Sequence, residues 1–204
     1  MTNKLQTVFV SLVMLGAASA AVAQTGGLIG ERFGALELGY VDYDDGGHLT
    51  TGGITLNVPS TIKGLDLGVD ASYGDGGYRS LDAQAYAFGA SATGYVNLEQ
   101  GIKPFLTGRF GWERDEVSAW GISGHDDSFV YSIKAGVEVP VTSKAAIRAA
   151  FGYYDYTSFH DSDGLFATVG GNYWITEKFG ALVSYTRDFE QDTNTITVGV
   201  FMRY

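Results

Sequence analysis

Residues 195–204 read Thr-Ile-Thr-Val-Gly-Val-Phe-Met-Arg-Tyr, an order with a period of two. Successive side chains of a strand point to opposite faces. Ile196, Val198, Val200, Met202 and Tyr204 therefore share one face, and Thr195, Thr197, Gly199, Phe201 and Arg203 share the other. The result is a strand with one apolar side, one mostly polar side and an aromatic at its end. A chain built from such strands must find an apolar medium for one side and a polar one for the other.

The same alternation recurs along the sequence. Leu36, Leu38 and Tyr40 oppose Ala35, Glu37 and Gly39, and Ile54, Leu56 and Val58 oppose Thr55 and Asn57. The cleanest case sets Leu65, Leu67, Val69, Ala71 and Tyr73 against Asp66, Gly68, Asp70 and Ser72. Further apolar faces are Tyr86, Phe88, Ala90 and Ala92; Leu106, Phe110 and Trp112; Phe129, Tyr131, Ile133, Ala135, Val137 and Val139; and Ile147, Ala149, Phe151 and Tyr153. Leu165, Ala167, Val169 and Tyr173, then Ala181, Val183 and Tyr185, bring the count to ten strands. Gly52-Gly53 weakens the second strand, so an eight-stranded count is the alternative. Leu182 and Phe201 sit on the polar face, which a bulge or a small inner apolar contact would explain.

Four short connections carry Lys63, Lys103, Lys144 and Lys178, and five polar connections are rich in Asp. These are read as loops around Asp42 and Asp44; over 74–82; over 114–127, the longest; over 155–164; and over 187–194. An even number of antiparallel strands, with short turns at one end and longer loops at the other, describes an all-β, up-and-down transmembrane β-barrel. A soluble β-sandwich would hide its apolar faces between two sheets instead, and a propeller or solenoid would need no apolar outer face.

Residues 1–23 read as a removable signal peptide: Lys4, a short apolar core, then Ala21-Val22-Ala23 before Gln24. Residues 24–204 then form one barrel domain. Without Lys4, 12 Lys and Arg face 23 Asp and Glu, a balance that argues against a nucleic-acid partner. Cysteine is absent, which rules out disulfides and thiolate metal sites.

The polar phase turns Glu37, Asp66, Asp70, Arg109, Glu113, Lys134, Glu138, Arg148 and Arg203 into the barrel. Unpaired charges in a narrow lumen are costly, so pairs and networks are expected there. Eight strands are nearly filled by their own side chains and large channels need many more. Ten strands leave either a closed lumen or a narrow, charge-lined pore.

With its terminal aromatic, signal and alternating strands, the chain resembles small bacterial outer-membrane β-barrels of the opacity-protein and outer membrane protein A transmembrane-domain type. That resemblance implies an integral protein of a Gram-negative outer membrane with a structural, surface-contact or minor porin role. Its partners would be outer-membrane lipid, lipopolysaccharide and the assembly machinery that reads a last strand ending at Tyr204. No plug of useful length is expected before the first strand. His160-Asp161-Ser162 shares the His-x-Ser spacing of lipid A deacylase barrels, but turn residues surround it. Asp44-Asp45 and His125-Asp126-Asp127 resemble the acidic rim of the omptin proteases, yet this chain is much shorter. Asp42-x-Asp44-Asp45-Gly46 begins like a calcium loop, but Gly53 stands where the bidentate Glu belongs. The expectation is a non-enzymatic barrel without metal or cofactor.

Overall fold

The computed structural model describes residues 26–44, 46–78, 81–119, 122–157 and 163–204. The signal segment and the His160-Asp161-Ser162 triplet lie outside these residues. Ten strands follow one another: β1 (Phe33–Tyr43), β2 (Gly47–Pro59), β3 (Leu65–Tyr78), β4 (Leu81–Tyr95), β5 (Lys103–Ala119), β6 (Ile122–Pro140), β7 (Ala145–Tyr156), β8 (Gly164–Trp174), β9 (Phe179–Asp188) and β10 (Thr193–Arg203). Each is antiparallel to its neighbours in sequence, and β1 pairs with β10 from Phe33↔Arg203 to Tyr43↔Thr193. The sheet is a closed barrel.

Alternation determines which side chains meet the surroundings. Leu38, Val69, Phe88, Phe110, Ile133, Phe151, Val183 and Val198 are all exposed on the outer wall, while Glu37, Asp70, Arg109, Glu113 and Thr197 on the opposite phase are buried. Outward aromatic pairs stand toward the loop end: Tyr73 with Tyr86 (5.2 Å), Phe88 with Trp112 (5.3 Å) and Phe110 with Phe129 (5.5 Å). A wall of this kind, apolar with aromatics near its border, suits a bilayer.

β2 runs unbroken through Gly52 and Gly53, held on both sides by Leu38↔Gly52↔Tyr73 and Glu37↔Gly53↔Ser72. Two flanking ladders compensate for what the glycines lack in propensity, and the count is ten. The register of β9 with β10 is also continuous, from Thr193↔Asp188 to Met202↔Phe179. No bulge accounts for Leu182 and Phe201. They join Leu28, Phe33, Ala35 and Trp174 in an inner apolar cluster.

The acidic connections are shorter than composition suggests. Within 114–127, expected as the longest loop, residues 114–119 and 122–127 instead continue β5 and β6, paired from Glu113↔Ser128 to Ala119↔Ile122. Residues 74–78 likewise extend β3, opposite β4. Asp, Gly and Ser there mimic loop chemistry, but a ladder satisfies backbone groups whatever the side chains are. At the other end β4 stops at Tyr95, and a 3₁₀ turn, Glu99–Gly101, follows.

Candidate functional site: a filled lumen

A charge network crosses the middle of the barrel. The Arg109 guanidinium donates to both carboxylate oxygens of Asp70, with Nη2 2.6 Å from Oδ2 and Nε 3.1 Å from Oδ1. Its Nη1 lies 3.6 Å from Glu113 Oε1, and the Tyr156 hydroxyl donates to Glu113 Oε2 at 3.3 Å. All three charged groups are buried. The guanidinium lies over two inward-facing glycines: a Cβ added at Gly89 or Gly111 would stand 2.6 or 2.8 Å from it. Glu37 is buried nearby and accepts a bond from Thr55 Oγ1 at 3.4 Å. Lys134 is half-buried on the inner face of β6.

The turn end is closed by residues 26–32, which enter the lumen ahead of β1. Leu28 and Ile29 are 1% and 0% exposed. Leu28 packs with Trp174, Leu182 and Phe201, and Ile29 with Phe105. Buried charge satisfies the backbone of this segment. Glu138 accepts from the N–H groups of Leu28 (2.7 Å) and Ile29 (3.1 Å), and Asp66 from that of Gly30 (2.9 Å). Lys103 Nζ donates to the Ile29 carbonyl, Asn172 to that of Gly26 and Asn57 to that of Glu31. The segment spans the mouth between residues of β2, β3, β5, β6 and β8. Arg148 supports Glu138 at 3.4 Å. Arg203 is at the rim, 2.7 Å from Glu31 and 4.7 Å over the Trp174 ring. Burial raises the pKa of Glu31, against the opposing pull of Arg203 and Lys103.

This plug overturns the expectation that none precedes β1. It also moves Lys103 from a solvated turn, where composition put it, into the interior at 2% exposure. Asp115 and Asp188, expected in loops, are buried too. The strand phase held the missing signal: Lys103 is in step with Thr107 and Arg109, and Leu28-Ile29 is an apolar pair with no strand of its own. Lys63, Lys144 and Lys178 remain exposed on their turns.

Gly27 faces Glu138 so closely that a Cβ would overlap its carboxylate, and Gly26 has φ +73° against the backbone of Thr142 and Ala145. Gly27→Val is therefore expected to undock the plug and cost about 1–3 kcal/mol of stability. Faster hydrogen exchange at Leu28, Ile29 and Gly30, with the strand ladders still protected, is the readout.

At the loop end apolar side chains form two buried clusters. Val130, Tyr154, Tyr156 and Phe166 cluster on one side, and Val41, Tyr43, Leu49 and Ala85 on another. Among the described residues, a void of about 10 Å³ beside Glu37 and Thr55 and one of about 20 Å³ beside Arg148 and Ser184 have room for about one water each. His48 stacks on Tyr40, and His125 is exposed on the β5–β6 hairpin opposite Glu116. The Asp44 carboxylate is engaged by Arg187 (3.1 Å) and Asn194 (3.0 Å). Among the described residues no group of three or more His, Asp or Glu is placed to hold a metal ion.

A closed antiparallel barrel of ten strands with an apolar outer wall is the architecture of the small bacterial outer-membrane β-barrels. The chain is similar to the beta domain of the Bordetella autotransporter BrkA, at 8% identity over 85% of this chain and 99% of that one (TM-score 0.55). It is also similar to the translocator domain of the autotransporter NalP from Neisseria meningitidis, at 10% identity over 85% and 88% (TM-score 0.51). Neisserial surface protein A matches at 16% identity over 85% and 96% (TM-score 0.45). These likenesses are of fold. No family model and no curated protein sequence matches the chain.

Proposed function

We propose that this chain is an exported, integral outer-membrane barrel with a closed lumen, whose role is structural or lies in surface contacts, and that it is not an enzyme. The observation that carries this reading is the filled interior. Leu28 and Ile29 occupy the turn end, Asp70, Arg109 and Glu113 cross the middle, and two buried apolar clusters stand at the loop end. Neither of the two voids approaches the bore of a solute channel. The outer wall and the strand ending at Tyr204 make membrane lipid, lipopolysaccharide and the barrel-assembly machinery the partners this reading implies.

Single-channel recording of the refolded chain, residues 24–204, in a planar bilayer tests it. A folded barrel is expected to be electrically silent. Discrete, reproducible steps whose ion selectivity shifts in Lys134→Gln would overturn the closed lumen and favour a narrow porin.

A further inference from the structure

The outer wall carries a groove of about 440 Å³ at the turn end of β7, β8 and β9, lined by Val141, Ala145, Ile147, Gly171, Tyr173 and Val183. Its origin is a gap in the outward phase. Ile147, Gly171 and Val183 stand level across the three strands, so glycine leaves a notch between two exposed aliphatic side chains. Tyr173, one pair nearer the turns, is flanked by Ala145 and Ala181. The plug lies on the lumen side of the same wall, where Asn172 donates to the Gly26 carbonyl.

Two turns of the same construction flank the lower end of this groove. In residues 141–144 the Val141 and Thr142 N–H groups donate to the Ala145 carbonyl, at 2.8 and 3.1 Å. In residues 175–178 those of Ile175 and Thr176 donate to the Phe179 carbonyl, at 2.9 and 3.0 Å. Thr142 Oγ1 accepts from the Lys144 N–H at 3.1 Å, and Thr176 Oγ1 from that of Lys178 at 3.2 Å. Each lysine carbonyl accepts from the adjoining strand, Lys144 from Trp174 and Lys178 from Arg203, both at 2.8 Å. The two lysine backbones are thus fixed alike, while both side chains are exposed. The strands they lead into are two spacings apart, about 10 Å, so the flexible stems can converge on one anion. Glu177, exposed beside Lys178, is the acid that competes.

We propose that this corner of the wall is a binding site for one anionic phospholipid of the periplasmic leaflet. An acyl chain lies in the notch over Gly171, and the phosphate sits between Lys144 and Lys178. Short turns of such barrels face the periplasm, so the groove opens into the leaflet on that side. Lysine stems run along apolar surface and carry their charge to the headgroups, and tyrosine suits the same level. An apolar slot with a few convergent polar groups, of about 300–1,000 Å³, is how sites for small ligands are built. A second groove, of about 620 Å³, lies mid-wall among Leu36, Leu38, Gly52, Val198 and Val200, and among the described residues no cation lines it. It shares the apolar notch but not the charge. The proposal rests on the outer-membrane reading, independently of whether the lumen is closed.

The test places the refolded chain, residues 24–204, in nanodiscs of equal phosphatidylglycerol and phosphatidylcholine with identical acyl chains. Native mass spectrometry then reads which lipid stays on the released barrel. One phosphatidylglycerol is expected to be retained in preference to phosphatidylcholine. Lys144→Gln and Lys178→Gln should each lower that preference by about fivefold, the effect of one charge at an anionic surface. Glu177→Gln should raise it, and Lys63→Gln, on another exposed turn, should leave it unchanged. Gly171→Leu should fill the notch and lower retention of both lipids, whereas Gly52→Val in the mid-wall groove should keep the preference. Equal retention of the two lipids, or equal losses in the Lys63 and Lys144 variants, would show diffuse attraction and overturn the site. A dimer that Gly171→Leu disperses would put a second copy in the groove and overturn the lipid. Failure to insert into vesicles would overturn the membrane reading and this site with it. An inserted barrel without lipid preference would sink this proposal alone.

Discussion

Replacing Arg109 with methionine is expected to destabilise the folded barrel by about 3–5 kcal/mol, the usual cost of removing one partner from a buried ionic cluster. The variant leaves Asp70 and Glu113 buried, with the bidentate bond and the 3.6 Å ion pair gone. Methionine fills much of the same space, so the loss is electrostatic rather than a cavity. The explanation makes a second demand. Combining Arg109→Met with Asp70→Asn and Glu113→Gln removes both orphaned charges, and stability should return to within about 1–2 kcal/mol of the parent. Denaturant unfolding of the refolded chain in lipid vesicles, followed by tryptophan fluorescence, measures both. A triple variant no better than the single one would show that Arg109 acts by packing over Gly89 and Gly111, with charge secondary.

Val69→Arg on the outer wall is expected to cost about 2–4 kcal/mol, the price range for arginine near the bilayer midplane. Val69 is 52% exposed, and its neighbours across the ladders are Leu56 and Ala90. In a soluble protein such an exposed site would tolerate arginine within about 0.5 kcal/mol. The contrast separates a lipid-facing wall from a solvated one. Depth gives an internal control, because the penalty falls to about 0–1 kcal/mol near the interface. Val58→Arg, on the same face but one residue from the end of β2, should be mild. Equal, small effects at Val69 and Val58 in vesicles would remove the bilayer from the outer wall.

Much of this architecture was legible in the linear order of residues. The alternation of Leu36, Leu38 and Tyr40 with Ala35, Glu37 and Gly39 is the alternation that β1 (Phe33–Tyr43) shows. The faces assigned to Val69, Ile133 and Val198 are the faces they occupy. Alternation is a local property, and closure preserves it. The outer ends were harder to read. The stretch 114–127 has the composition of a loop, yet cross-strand pairing such as Arg114↔Asp127 and Glu116↔His125 holds it as a hairpin. Composition reports what a segment prefers alone, whereas a neighbouring strand decides whether its backbone bonds are made.

The sequence by itself determined the strand period, the apolar outer face and the inward direction of the charged phase, because each follows from side chains two residues apart. The tertiary structure alone decided which charges meet. Leu28 bonds to Glu138 across 110 residues, Asn172 reaches Gly26 across 146, and Arg109 finds Asp70 across 39. It also decided that Leu28 and Ile29 enter the mouth. Those outcomes depend on how ten strands close around a shared interior, and no local pattern carries that information.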